Sequence, residues 1–434
     1  MKILSKDYQL IKIFIFIANI KVILYKDIDN IRLGIYTYAL KGGGTERITA
    51  LMLNYLSKES NFYIYVFSQR QKEENEFKIP EKIKRTYINA EHSSKKLRTQ
   101  LKVKKINILI YQFPHADEIN FLNTLKNVKI IIYSHFCFLT WIYFYEIHFF
   151  KALYNAFKNS KYIVSLVPFE NDYIFKKWGI NSILMDNLVS YEYDDVIPSD
   201  LSSKTILMIG RASDRFKRFN LGIQAMKYIS LEIKDSEMKI ISDLNHLENL
   251  RNLVNNLNLQ NNVKFLGYSQ MPEEHFHNAS LHIFPTVAEA FGLVLCETKV
   301  FGIPSILTGL DFVVISKGGT VIIYDDNPET ISKESIKILK NYRYRKKLGK
   351  DARETMKKYK NEIIIKKWIK LILSVHKGEK QYNNLRKAAK KISVKKARNI
   401  TKNQIKLLNK REPFLKNLTV QILLNFTQLE KILE

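Results

Sequence analysis

Short apolar runs alternate with longer segments whose apolar positions recur every three to four residues along most of the chain. That alternation predicts βα units and parallel sheets. Ile31 to Ala39 ("IRLGIYTYA") reads as a strand, followed by Gly42-Gly43-Gly44 and a helix with Ile48, Leu51, Met52, Tyr55 and Leu56 on one face. Further strands are expected at Phe62–Phe67, Ile106–Tyr111, Lys129–Ser134 and Tyr162–Val167. The polar, acidic stretch "SYEYDDVIPSDLSS" reads as a linker, placing a junction near residues 188–203. A second series follows at Thr205–Ile209, Met238–Ile241, Val263–Leu266, Leu281–Phe284, Ser305–Leu307 and Val321–Ile323. The fold class is therefore α/β, with two Rossmann-like domains at 31–190 and 191–356, preceded by an extension over 1–30. The last segment with a good apolar helical face is Ile363 to Val375, and a basic tail, 376–434, lies beyond it. No repeat of solenoid period occurs.

Composition narrows the partners. The 434 residues carry 70 basic and 42 acidic side chains, a net charge of +28. Such an excess favours phosphorylated substrates, anionic lipid or nucleic acid. Between Lys377 and Lys416 only Glu379 and Glu412 oppose runs such as Arg386-Lys387, Lys390-Lys391 and Lys395-Lys396, which read as a solvated helical face or appended tail. Two cysteines, Cys137 and Cys296, make no disulfide framework, so a cytoplasmic setting is expected. Tyr8 to Tyr25 is the most apolar stretch, but Lys12, Asn19 and Lys21 interrupt it. It is too broken to cross a bilayer and lacks a small-residue cleavage site; an interfacial helix is the alternative.

The segment "FPTVAEAFGLVLCE", Phe284 to Glu297, carries the chemistry. A strand ending at Phe284 and a helix starting near Phe291-Gly292 leave free N–H groups and a positive dipole end at the turn. Gly292 lets a phosphate approach the backbone, Glu289 precedes the helix, and Glu297 lies one to two turns inside it, where a carboxylate can accept both hydroxyls of a ribose diol. On spacing alone the alternative is an ordinary acidic first turn over buried Val294 and Leu295. Two carboxylates beside a diphosphate need imported positive charge, and "ILMIGRASDRFKRFN" supplies it. Gly210-Arg211 and Lys217 leave the carboxyl end of a strand, where open α/β sheets bind ligands. Arg215 and Arg218 are expected to be solvated.

Gly-Arg-x5-Lys followed by Glu-x7-Glu resembles the retaining glycosyltransferases of GT-B fold, family four (group 1), over about residues 31 to 375. Gly43-Gly44-Thr45-Glu46-Arg47 is similar to the family's loop after the first strand, and "SKGGTVIIYDDNPETI" to its later glycine-rich loop. The resemblance implies that Glu297 holds the donor ribose and Glu289 meets hydroxyls of the transferred sugar. The amides of Phe291, Gly292 and Leu293, with Arg211 and Lys217 beside Gly210, hold the diphosphate, and Gly43 and Gly44 let the acceptor-side domain approach it. Arg211 to Lys217 is one residue longer than the commonest family spacing. His135, after "KIIIYS", matches the family's active-site histidine, whereas His115 reads as structural. The helix over 357–375 is expected to return to the first domain.

The expected partners are a nucleotide-sugar donor, a glycan or lipid-linked acceptor, and an anionic membrane face, the last resting on charge and on the aromatic segment "FLTWIYFYEIHFFKALY". Nucleic acid is not expected. Neither a metal nor a cofactor is expected: Asp27-Ile28-Asp29 precedes the first strand instead of ending an inner one, and reads as a solvated pair. The absence of Gly-x-Gly-x-x-Gly argues against a dinucleotide oxidoreductase. The rival readings are a polyanion-binding protein on a catalytically idle GT-B scaffold and a GT-B sugar epimerase or phosphorylase.

Overall fold

The computed structural model describes residues 30–383, apart from 90–92, 113–120, 123, 136–153, 169–170, 172–178, 181, 213–216, 244–246, 270–271, 287–288, 309–314, 316, 324, 379 and 381–382. The N-terminal extension, Asp27 and Asp29, His115, Cys137, the aromatic segment up to residue 153, Arg215 and nearly all of the basic tail lie outside the described residues.

Two parallel sheets form. The first holds β1 (Ile31–Thr37), β2 (Phe62–Ser68), β3 (Lys84–Tyr87), β4 (Ile108–Tyr111), β5 (Lys129–Ser134), β6 (Tyr162–Ser165) and β7 (Ile183–Leu184), in spatial order β3-β2-β1-β4-β5-β6-β7. The second holds β8 (Thr205–Ile209), β9 (Glu237–Ile241), β10 (Val263–Gly267), β11 (Leu281–Phe284), β12 (Ser305–Thr308) and β13 (Thr320–Ile323), in order β10-β9-β8-β11-β12-β13. Both orders are of the doubly wound kind. They reverse direction beside β1/β4 and β8/β11, and the crevice beyond those carboxyl ends is where such sheets take ligands.

The inner strands β4, β6 and β8 are apolar on both faces, as strands covered by helices on either side must be. Ile31, Leu33 and Ile35 of β1 are fully buried, as are Ile108 to Tyr111 of β4. The two unanticipated strands sit on the far edges of the first sheet. β3 ("KRTY") is charged and β7 has two residues, and neither shows the apolar run that marks an inner strand.

Helix α1 (Gly44–Leu56) follows β1, α2 (Ser93–Val103) follows β3, and α3 (Phe219–Glu232) follows β8. The second sheet is covered further by α4 (Glu248–Asn256), α5 (Glu273–His277), α6 (Leu293–Val300), α7 (Pro328–Lys340) and α8 (Tyr342–Met356). The final helix, α9 (Asn361–Lys377), packs on the first sheet's side of the molecule. Its Trp368 is fully buried, edge-on to Tyr133 of β5 at 4.7 Å, and Lys129 Nζ donates to the carbonyls of Val375 and His376 at 3.0 and 2.9 Å.

The stretch between the sheets has no regular structure, but it is held at several points. Asn361 brackets Val189, accepting its N–H and donating to its carbonyl, both at 2.8 Å. Arg353 donates to the carbonyls of Tyr193 at 2.8 Å, Val196 at 3.0 Å and Val300 at 2.6 Å. These bonds hold the chain on both sides of the stretch 190–192, which begins with Ser190. One apolar core, running from β1 and α1 through α9 to Phe291, Leu295 and Cys296, joins the two sheets.

Candidate functional site

The site is built where strand ends of both sheets face each other. After β1, Gly43 caps α1 with extended backbone, and the Glu46 carboxylate reaches back to the N–H groups of Gly43 and of Glu46 itself. A glutamate at the third helical position serving the cap N–H is one half of a capping box. Burial raises the Glu46 pKa, with those N–H groups and the charge of Arg211 across the cleft opposing. A Cβ on Gly43 would meet Glu46 Oε2, and one on Gly44 would lie 2.9 Å from Leu293 Cδ1. The loop thus packs directly on the first residue of α6, and a side chain at Gly44 would have to displace the end of Leu293.

On the other side, the turn after β11 enters α6 through Gly292, whose left-handed backbone (φ 79°, ψ 61°) suits glycine. Phe291 is buried, edge-on to Tyr359 at 5.8 Å. The side chain of Lys217 lies over Gly210, and its ammonium pairs with Glu289 while sitting 5.4 Å from the Phe284 ring centroid. Both partners are largely shielded from solvent, so cation and carboxylate are held together at the cleft. Arg211 is exposed. Its neighbour Arg218, expected to be solvated, is instead largely buried: it donates to Pro285 O at 2.6 Å and Thr308 Oγ1 at 2.5 Å and pairs with Asp326 at 2.9 Å. Those bonds tie the ends of β11 and β12 together, and that role, not solvent, takes up the charge.

Glu297 is 1% exposed. Its Oε1 accepts from Arg47 NH1 of α1 and from Ser190 Oγ, each at 2.5 Å, and Arg47 NH1 also donates to Ser190 Oγ at 3.3 Å. The Glu297 charge raises the Arg47 pKa, with burial opposing. The Arg47 guanidinium lies over Phe77 at 5.3 Å. Arg47 and Ser190 are site residues that the motif spacing did not single out. Arg47 stood inside the quoted glycine-loop motif, but its partner is remote in sequence.

His135, at the end of β5, is half-buried, with its ring 3.9 Å from that of Tyr133 and Nε2 2.9 Å from Gln112 Oε1. Burial lowers its pKa to about 3, so it is neutral near pH 7. Gln112 directly follows β4, is fully buried, and also contacts Thr49 of α1. The structure thus gathers Gly44 and Leu293 at one contact, with Gly43 beside them against Glu46; Gly210, Lys217 and Glu289 at a second; and Glu297 at a third. His135 joins the same face through Gln112 and α1.

Residues 191–355 match the family model described as glycosyl transferases group 1. Among curated proteins, the poly(glycerol-phosphate) alpha-glucosyltransferase of Bacillus subtilis is 25% identical over 186 residues, 42% of this chain and 26% of that protein. The 2-deoxystreptamine N-acetyl-D-glucosaminyltransferase of Niallia circulans is 27% identical over 218 residues, 47% of this chain and 56% of that one. These matches therefore span under two thirds of either relative's length. Among solved structures, sucrose-phosphate synthase of Thermosynechococcus elongatus superposes with a TM-score of 0.65 at 16% identity, covering 80% of this chain and 99% of that one. HepE of Anabaena, solved with UDP and glucose, gives 0.64 at 12% identity, covering 79% and 100%. Residues 191–355, which hold the second sheet, thus match the group 1 glycosyl transferase model, and the two parallel sheets have the GT-B architecture of the similar solved structures.

Proposed function

We propose that the protein transfers a sugar from a nucleoside diphosphate sugar to a glycan or lipid-linked acceptor, with retention of configuration, in the synthesis of a polysaccharide or glycolipid. The observation that carries this reading is the meeting of both glutamates of "EAFGLVLCE" with basic side chains at the strand ends, Glu289 with Lys217 and Glu297 with Arg47. Two shielded carboxylate–cation pairs beside a helix N-terminus suit a ligand with a diphosphate between a sugar and a ribose.

In this reading Arg211, Lys217 and the amides of Phe291, Gly292 and Leu293 take the charge that develops on the leaving diphosphate. Preorganised donors at that point stabilise the transition state more than the ground state. Gly43 and Gly44 leave room for the diphosphate from the opposite side. The free oxygen of Glu297 accepts from the ribose diol, Glu289 meets hydroxyls of the transferred sugar, and His135 stands on the sugar side. Retention follows if the acceptor attacks the face that the diphosphate leaves, with the leaving phosphate taking its proton. UDP in the HepE structure supports a nucleotide in this crevice. The membrane association proposed here is peripheral, at the cytoplasmic face: among the described residues no helix is long and apolar enough to cross a bilayer.

The test is a calorimetric and hydrolytic screen of the full chain with UDP- and other nucleotide sugars, then acceptor trials with the best donor. Saturable donor binding and acceptor-dependent release of nucleoside diphosphate are expected. Absence of saturable binding to any nucleotide sugar would leave the idle-scaffold reading instead.

A further inference from the structure

Gln112 presents a hydrogen-bonding conflict with a chemical consequence. Its Oε1 lies 3.1 Å from Thr49 Oγ1 and 2.9 Å from His135 Nε2, and its Nε2 is buried without a partner. Thr49 has a single hydroxyl proton, and the carbonyl of Thr45, one turn back along α1, lies 2.8 Å away to receive it. With the carboxamide in this orientation, two oxygens therefore face each other across 3.1 Å while both N–H bonds of a buried amide go unmade. A buried donor without an acceptor bears its full desolvation penalty.

Amide oxygen and nitrogen are almost identical in shape, so the surrounding bonds decide which is which. Turning the Gln112 carboxamide by half a revolution gives each N–H an acceptor, Thr49 Oγ1 on one side and His135 Nε2 on the other. Thr49 then donates to Thr45 and accepts from Gln112, and one carbonyl oxygen is left unpaired in place of an NH2 group. Three hydrogen bonds form without conflict where the other orientation has a clash.

We propose that Gln112 is a positioning residue: its carboxamide donates to His135 Nε2 and fixes the histidine as the Nδ1–H tautomer, so that this N–H is the group offered to the sugar in the cleft. The clause on the sugar rests on the transferase reading; the tautomer does not. Nδ1 makes no hydrogen bond among the described residues, and the ring is half-buried, so Nδ1 is the nitrogen left for a ligand. The ring cannot turn away easily. Tyr133 lies against it, and Tyr133 is held by its hydroxyl donating to Asn187 Oδ1 at 2.7 Å and by Trp368 on its edge. A neutral imidazole whose Nε2 lone pair is taken can give a hydrogen bond at Nδ1 but cannot remove a proton there. His135 then orients a substrate oxygen and does not act as the base.

The experiment is a long-range proton–nitrogen correlation spectrum of the full chain labelled with 15N-histidine, without donor. The His135 signals are assigned through His135→Gln. Wild type should show a pyrrole-like Nδ1 and a pyridine-like Nε2. Gln112→Glu, whose carboxylate can only accept, should reverse the pattern; Gln112→Met, of similar volume, should release the bias. Circular dichroism identifies which variants are folded, and the wild-type spectrum alone decides the tautomer if neither is. A protonated Nε2 in wild type, or an unchanged pattern in folded Gln112→Glu, overturns the proposal. With the donor found in the screen, Gln112→Glu should lower kcat about tenfold or more with bare-nucleotide affinity unchanged. An unchanged kcat overturns the positioning role. A protein with the expected tautomer but no donor for any nucleotide sugar would instead fail the transferase reading and leave the tautomer standing.

Discussion

Arg47 of α1 and Glu297 of α6, 250 positions apart in sequence, share a charged hydrogen bond of 2.5 Å across the crevice between the two sheets. Ser190, on the segment that joins the sheets, donates to the same carboxylate oxygen. Glu297 is almost wholly buried, and a buried carboxylate is tolerable only when paired and hydrogen-bonded. Removing its cation strands the charge. Arg47→Met should destabilise the folded chain by about 3–5 kcal/mol, read by urea unfolding. Adding Glu297→Gln should recover part of that loss, because the stranded charge goes with it. Strict additivity in the double-mutant cycle would show that the two side chains do not act as a pair. In the transferase reading Glu297→Gln also raises the donor KM with kcat comparatively intact, since ribose is bound alike in the ground and transition states.

Lys217 and Glu289 are expected to part when donor arrives, the ammonium turning to phosphate and the carboxylate to sugar hydroxyls. Lys217→Met should therefore weaken binding of the bare nucleoside diphosphate by about tenfold to a hundredfold, the scale of one charge-assisted hydrogen bond. Glu289→Gln should act in the opposite sense on that ligand, leaving affinity unchanged or raised because the lysine is freed, while depressing kcat strongly. Titration calorimetry with UDP beside steady-state rates separates the two. Weaker UDP binding in Glu289→Gln would remove the carboxylate from the sugar side of the site.

His282, the second residue of β11, supplies a pH test independent of catalysis. Its ring is fully buried, Nδ1 lies 3.2 Å from both Thr298 Oγ1 and Ser305 Oγ, and Nε2 is buried without a partner. Burial, and secondarily the charge of Lys217, lowers its pKa from 6.5 to about 3. Between those values the unfolded chain binds a proton that the folded chain does not, so stability is lost as pH falls below about 6.5. Each such group contributes a slope of about 1.4 kcal/mol per pH unit. Comparing denaturant unfolding of wild type and His282→Gln between pH 6 and pH 4 isolates this group from titrating carboxylates. The variant should show the shallower slope, and equal slopes would mean that His282 charges within the fold.

Much of this arrangement was legible in the sequence because it is local. The inner strands announce themselves as apolar runs, and the turn from Phe284 through Gly292 into α6 follows from one glycine and a change of period. What remained hidden is what folding joins from afar. Nothing in "GGTER" says that Arg47 will cross the crevice to Glu297, and nothing near Gln112 says that it will lie between Thr49 and His135. Arg218 shows the converse: a basic residue among other basic residues looks solvated until the carbonyl of Pro285 and the Asp326 carboxylate come within reach. Charge complementarity across domains has no sequence period, so pattern reading finds the donors and acceptors but not their pairing.

Arg211 and Lys217 leave one strand end, and the N–H groups entering α6 leave another; in the transferase reading the diphosphate lies between them, beside Gly43 and Gly44. Two side-chain cations and a helix N-terminus can neutralise the charge that a bridging divalent ion neutralises in other transferases. The expectation is that the initial rate of transfer survives exhaustive EDTA treatment of the protein and all substrates. Because the side-chain charges act on a partly exposed ligand, raising the ionic strength should weaken UDP binding in wild type more steeply than in Lys217→Met, which has one charge fewer to screen. Complete loss of activity in EDTA, restored by magnesium or manganese, would overturn the cation-only account, and equal salt dependence of the two proteins would remove Lys217 from the diphosphate.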